Sequence, residues 1–432
     1  MPVLRASDRD FTSRLQNFVG GGEAAPEVAR AVAGIVADVR RRGDAAVLAC
    51  TAKFDRVRLT AAGMRIPPDE LARAARALPA AKRRALKEAA RCILDFHRRT
   101  LPKSWTARNP HGAEVGERHL PIRRCGLYVP GGQVPLVSTV LMTALPAKVA
   151  GVPEVCACTP PGPDGRINPD ILAALHLCGV REVYAAGGAQ AVAALAFGTR
   201  TIRAVDKIFG PGNAFVTEAK RQLFGAVGVD LLPGPSEVMI IADASARPDW
   251  VAADLCAQAE HGSGKEKLYL VAESRSYADR VLREARRQSA SLRHGAKVVR
   301  ALDKSLCVIL VRRVADAAEA ANLVAPEHLQ LMVRPAAERR LSKEITTAGA
   351  MLLGPLSPTV LGDFTAGPSH TLPTGGTGRF FSGLRVTDFL RRTSLVRYDR
   401  ASLRRAAAVV EAFSGMESLD AHGRSLKVRL GR

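Results

Sequence analysis

The chain has 432 residues, 47% of them hydrophobic, and a formal net charge of +22. That is more apolar sequence than one ordinary core holds, so two or more domains are expected. The basic residues are scattered in short steps at 40–42, 83–84 and 391–392 and aromatics are only 5%, which favours a solvated basic surface over a nucleic-acid-binding stripe.

The opening segment MPVLRASDRDFTSRL has charges and no apolar centre, so no secretory signal is expected. Residues 27–49 read as helix, glycine, helix: Val28, Val32, Ile35, Val36 and Val39 recur at helical spacing. Gly43 stops the first helix and Asp44 is positioned to cap the second. Residues 69–99 predict two more helices, divided near Pro79. The longest apolar stretch, VPLVSTVLMTALPAKVAGV, is interrupted by Pro135, Pro146 and Lys148, too broken for a membrane span.

The texture changes at Cys125. CGLYVP, EVCACT, EVYAAG and AVDKIFG are short apolar runs separated by helical stretches, a βαβ alternation that implies a parallel sheet. A second series begins at SEVMIIAD and continues through KLYLVAES, CVILVRR and GAMLLG. The expected fold is α/β, with two Rossmann-like parallel-sheet domains, one inserted in the other, and small helical segments at both ends. The boundaries are an N-terminal arm at 1–26, an outer domain at 27–127 and 238–380, an inserted domain at 128–237, and a C-terminal helical tail at 381–432. On this division the first helices join the later strands.

Four glycine-bearing loops follow strands of the inserted domain: YVPGGQ, AAGGAQA, IFGPGNA and LLPGPSE. Glycine lets backbone approach a ligand closely, helix N-termini favour phosphate, and ligands of open α/β sheets sit beyond the carboxyl ends of strands. None is G-x-G-x-x-G, so the ordinary dinucleotide fingerprint is absent.

The polar residues lie outside the glycine-rich inserted domain. Gln258 and His261 stand three apart at the end of an apolar run, and a helix over 249–261 projects both from one face. Cys256 is about 200° round that helix from Gln258 and faces elsewhere. Glu327 and His328 are adjacent after Pro326; in a strand they point to opposite faces, so they share a site only if the chain turns there. Asp363 and His370 lie in GDFTAGPSHTLPTGGTG, read as a loop because Gly367 and Pro368 break any helix. Glu417 and His422 sit in MESLDAHG, five apart and off a shared helical face, with Asp420 capping a last helix from Ala421. These nitrogen and oxygen donors are of the kind zinc takes. H-E-x-x-H and G-x-S-x-G are both missing, so a peptidase helix or a nucleophilic Ser236 is disfavoured. The eight cysteines form no C-x-x-C pair and read as buried reduced thiols of a cytoplasmic protein.

From about residue 28 onward the chain resembles the histidinol dehydrogenase family. The resemblance is carried by GLYVPGG, PAKVAGV, AGGAQAVAALAFGT, GPGNAFVTEAKR, GPSEV, QAEHG, APEHLQL, GDFTAGPSHTLPTGGTGRF and DAH. It implies zinc and NAD as cofactors, oxidation of L-histidinol to L-histidine through the aldehyde, and a homodimer whose C-terminal tails cross over. Carried over by motif, Gln258, His261, Asp363 and His422 match zinc ligands, and Glu327 and His328 match the catalytic pair. Ser236, His370 and Glu417 match substrate contacts, and the ligand set and His328 also border the substrate. Tyr128, Gln190 and Asn213 match NAD contacts. If tails exchange, His422 and Glu417 complete the partner's site. The chain departs from the family pattern at 133–139 (Gln133 onward), at Thr365 and at Ser369. Competing readings are an NAD dehydrogenase of another polar alcohol such as a sulfonated diol, a zinc hydrolase active without NAD, and a non-catalytic nucleic-acid binder with salt-sensitive affinity.

Overall fold

Two six-stranded sheets organise the chain, and a computed structural model describes residues 1–20, 25–131, 135–261 and 264–432. The family departure beginning at Gln133 lies partly outside the described residues.

The first sheet runs Arg65–Ile66, Glu182–Ala185, Glu154–Thr159, Arg124–Tyr128, Lys207–Phe209, Gly228–Val229. Every pairing is parallel except that of Arg65–Ile66, which is antiparallel to Glu182–Ala185. The second sheet runs Val3–Arg5, Leu306–Leu310, Lys267–Ala272, Glu237–Ala242, His328–Met332, Ala350–Leu353, and is parallel throughout. Counted from Arg124 in one sheet and from Glu237 in the other, both have the doubly wound order 3-2-1-4-5. Runs such as EVMIIA and KLYLVA are nearly continuous in apolar residues because helices cover both faces of each sheet. Four apolar clusters result, two per sheet. No helix among the described residues is long and apolar enough to cross a membrane.

The predicted domain division needs correction. Pro26–Arg42 packs on Gly188–Phe197 and Ala214–Leu223, Pro68–Ala77 packs on Pro169–Cys178, and Ala80–Arg99 packs on Val137–Ala150. The early helices therefore cover the first sheet and do not join the later strands. Val32 and Val39 share a cluster with Tyr184 and Val192. Conversely, the predicted N-terminal arm supplies an edge strand to the second sheet, with Val3 opposite Val308. An apolar helical period states that a face is buried, not which sheet buries it. Arg124–Tyr128, assigned mostly outside the inserted domain, is the central strand of the first sheet.

Local readings also shift. Gly43 ends Pro26–Arg42 with φ 55°, as expected, but Asp44 is inside the following helix. Its carboxylate caps nothing there and instead accepts from Thr201 Oγ1 at 2.7 Å and from the Thr201 amide. The tail is not wholly helical: Leu390–Arg397 is a strand, antiparallel to Glu114–Pro121, which also pairs Trp105–Arg108. Helix Arg400–Met416 follows, then Asp420–Lys427. Asp420 begins that last helix without a capping bond; Ser414 Oγ accepts from Gly423 N–H and ties the two helices together. All eight cysteines are free and six are buried. The Cys256 thiol faces Ala285 and Ser289, away from Gln258.

Two positions carry measurable consequences. Gly210 has φ 112°, and a Cβ there would stand 2.2 Å from the Tyr128 carbonyl oxygen. Gly210→Ala is expected to cost about 2–4 kcal/mol, seen as a lower urea midpoint, because backbone strain and a main-chain clash add. His97 is wholly buried on Ala80–Arg99, and neither ring nitrogen has a hydrogen-bond partner among the described residues. Burial pushes its pKa down from 6.5 to about 4. The unfolded chain takes up this proton as pH drops through 6.5, whereas the folded chain resists until about 4. Stability should therefore fall across that window by roughly 2–3 kcal/mol. Denaturation midpoints compared at pH 7 and pH 5 should show the loss in the parent chain and a flatter dependence in His97→Phe.

Candidate active site

Glu237 and His328 open neighbouring parallel strands of the second sheet, with Val238 opposite His328. The polar set thus gathers at the amino edge of that sheet, opposite to the carboxyl-edge rule that places ligands on the first. Ala325 adopts a left-handed conformation, φ 49° and ψ 59°, and Pro326 follows. This turn delivers Glu327 just before the strand begins. Glu327 Oε2 and His328 Nδ1 stand 3.7 Å apart, so adjacent residues serve one site.

The Glu237 peptide grips both. Its N–H donates to Glu327 Oε2 at 2.8 Å, and its carbonyl lies 3.3 Å from His328 Nδ1. A carbonyl oxygen only accepts, so Nδ1 carries the proton and Nε2 keeps a lone pair. That Nε2 is buried, has no hydrogen-bond partner among the described residues, and lies 3.9 Å from Asp363 Oδ1. The Ser236 side chain is near enough to Glu327 to favour its charged form slightly. Sequence reasoning missed Glu237; its signal was a carboxylate opening the otherwise apolar run EVMIIA.

Asp363 belongs to the short helix Thr359–Phe364, not to the loop expected there, which starts at Thr365. His370 lies in that loop, with Nδ1 3.8 Å from Asp363 Oδ1 and Nε2 3.3 Å from Thr139 Oγ1. Thr139 sits on Val137–Ala150 of the first unit, and Ser369 Oγ donates to Met142 O on the same helix. The site therefore lies where the two units meet. A largely apolar cavity of about 400 Å³ opens beside it, with Asp363 and Phe364 on one wall and Leu86 and Leu141 among the others.

Burial sets the protonation states. It raises Glu327 well above the ordinary carboxylate range, against the opposing Glu237 N–H bond. It raises Glu237 to about 7 and Asp363 upward, the latter opposed by His328 and His261. It lowers His328 and takes His370 down to about 4, so both imidazoles favour the neutral form.

Gln258 occupies the last turn of Pro248–Ala259, and His261 follows that helix end, exposed. His261 is near enough to act electrostatically on Asp363, His328 and His370. Gln258 is buried, and its Nε2 has no hydrogen-bond partner among the described residues. Turned over, the amide presents a carbonyl oxygen at the carbonyl-rich end of a helix, which favours a cation. One amide oxygen, one imidazole and one carboxylate suit zinc. Among the described residues no three His, Cys, Asp or Glu side chains are arranged for a metal ion. Helix Pro248–Ala259 also carries a buried Asp254, one turn before Gln258, whose Oδ2 accepts from Gln330 Nε2 at 2.8 Å. Sequence reasoning missed this pair too, although Gln330 is two residues beyond His328 on the same strand face.

The remaining candidates are elsewhere. Glu417 and His422 are exposed on the tail, whose last helix packs on Arg400–Met416. Around them Val409, Phe413, Met416, Leu419 and Val428 are exposed apolar side chains. Tyr128, Gln190 and Asn213 line the carboxyl edge of the first sheet. Tyr128 OH accepts from Gly188 N–H at 3.0 Å, and Asn213 Oδ1 caps Ala214–Leu223 by accepting from Phe215 and Val216. Gln190 is buried beside Gly188. These polar groups shape the edge rather than point freely into it.

The histidinol dehydrogenase family model matches residues 21–430. A histidinol dehydrogenase of Gluconobacter oxydans is 46% identical over 93% of each chain. Another, from Rhodospirillum rubrum, is 44% identical and spans 100% of this chain and 99% of its own. The crystal structure of histidinol dehydrogenase from Elizabethkingia anophelis matches with TM-score 0.93 and 33% identity, covering 100% of this chain and 98% of that one. A buried Glu-His pair on a doubly wound sheet, in a chain related end to end to these dehydrogenases, places the protein in the histidinol dehydrogenase family of oxidoreductases.

Proposed function

We propose that the chain carries out the last step of histidine biosynthesis in the cytoplasm, the zinc-dependent, NAD-linked four-electron oxidation of L-histidinol to L-histidine via L-histidinal. The observation that carries this reading is the Glu237 peptide clamp, which leaves His328 Nε2 unprotonated and open beside Asp363. His328 Nε2 takes the alcohol proton as hydride leaves the carbinol carbon, a role worth about 10²–10⁴-fold in rate. Glu327, a stronger base for being buried, takes a proton from water as the water adds to the aldehyde. His328 returns its proton to the former carbonyl oxygen as the hydrate forms, and the hydrate then loses the second hydride and gives a hydroxyl proton to His328 Nε2, becoming the carboxylic acid.

Gln258, His261 and Asp363, with His422 of the partner subunit, would hold zinc; Ser236, His370 and Glu417 of the partner subunit would contact substrate. When bound, zinc orients the amine and imidazole of the substrate, and NAD at Tyr128, Gln190 and Asn213 supplies the hydride acceptor. The exposed apolar tail supports a homodimer with exchanged tails, because a monomer rarely leaves such side chains uncovered together. The test is NADH formation from histidinol with and without a chelator. Two NADH per histidinol consumed, abolished by chelation and restored by zinc, is the expected result. Product formation without NAD contradicts the reading.

A further inference from the structure

The first sheet changes direction between Arg124–Tyr128 and Lys207–Phe209, and residues 210–213 form the turn leaving this switch point. A buried ion pair encloses the start of that turn. Lys220, on Ala214–Leu223, and Asp230, just after Gly228–Val229, are both fully inaccessible to solvent and pair with one another. Lys220 Nζ donates to the Gly210 carbonyl at 2.9 Å, and Asp230 Oδ2 accepts from the Gly210 N–H at 2.7 Å. Both peptide groups of one glycine are thus held by opposite charges that also neutralise each other.

Burying two charges is costly, and an apolar pair of like volume is often as stable or more so. Stability is therefore a weak reason for this arrangement. Geometry is a stronger one. Gly210 adopts φ 112° against the Tyr128 carbonyl, where no side chain fits. From there the chain passes through Pro211 and Gly212 to Asn213, which opens the helix that carries Lys220 itself. The ring Gly210–Lys220–Asp230 fixes where Asn213 and the helix start stand relative to Tyr128.

We propose that Lys220 and Asp230 are positioning residues for the dinucleotide-binding turn at 210–213, holding it preorganised without touching the ligand. This rests on the NAD reading above. The test uses the full-length, zinc-loaded chain and measures binding of NAD and of L-histidinol separately by calorimetry, together with the melting temperature. The double variant Lys220→Met/Asp230→Leu removes both charges at once. It is expected to melt at or above the parent temperature, bind histidinol as the parent does, and lose about tenfold or more in NAD affinity through lost preorganisation. Asp230→Asn, which keeps an acceptor for the Gly210 N–H, should show a smaller loss in the same direction and stands in if the double variant does not fold. Parent-like NAD binding in a folded variant overturns the proposal, as does an equal loss for both ligands with a lowered melting temperature. If the parent chain itself binds no NAD, the functional reading falls with it.

Discussion

Glu327→Gln is expected to leave oxidation of histidinol to histidinal near the parent rate and to slow oxidation of histidinal by about 10²–10⁴-fold. The glutamine oxygen can still accept the Glu237 N–H that Glu327 Oε2 accepts at 2.8 Å. The His328 clamp on the Glu237 carbonyl is untouched. What disappears is a basic oxygen for activating water. Single-turnover runs started from histidinol and, separately, from histidinal distinguish the two halves, and the variant should form one NADH per histidinol instead of two. The pH dependence follows from burial. Because the Glu327 pKa is held well above the usual carboxylate range, its base form is reached only as pH rises through that elevated value. The aldehyde step of the parent should therefore weaken on acidification sooner than an exposed glutamate would allow, and this acid limb should be missing from the variant's residual rate. Equal losses in both half-reactions would remove Glu327 from its assigned role.

Part of this site is legible in the sequence itself. Gln258 and His261 stood out because polar residues three apart ended an apolar helix, and that helix ends at Ala259. The Glu327-His328 pair was visible as residues but not as a site, since the left-handed turn at Ala325 has no glycine or asparagine to announce it. Helix Pro26–Arg42 could be drawn from its valines, yet its packing against Gly188–Phe197 depends on a surface more than a hundred residues away. The strand Leu390–Arg397 was hidden because LRRTSLVR is largely exposed on both faces and lacks an alternating apolar side. The Glu237 clamp works through backbone atoms, which any residue type supplies, so only its buried carboxylate hinted at it.

Mixing two inactive variants should restore activity if the site is shared between subunits. Asp363→Asn removes the carboxylate facing His328 and His370, and His422→Asn removes an imidazole that is exposed on the tail of its own chain. Each homodimer alone is expected to fall by about 10³-fold or more in turnover as zinc and substrate orientation are lost. After dissociation and reassociation in equal amounts, half the dimers are mixed. Each mixed dimer pairs one doubly impaired site with one intact site, built from the native core of one chain and the native tail of the other. Recovery of about a quarter of the parent activity is the expected ceiling under a C2 exchange of tails. If instead His422 folds back to its own core, no combination yields an intact site and the mixture stays inactive. The exposed Phe413 and Met416, at 55% and 70% accessibility, provide an independent arm of the same experiment. Phe413→Ser/Met416→Ser should shift the protein toward monomer in sedimentation and lower zinc retention, because losing the apolar cover would withdraw the fourth ligand. A monomer that keeps full zinc and full turnover would mean that the site is complete within one chain.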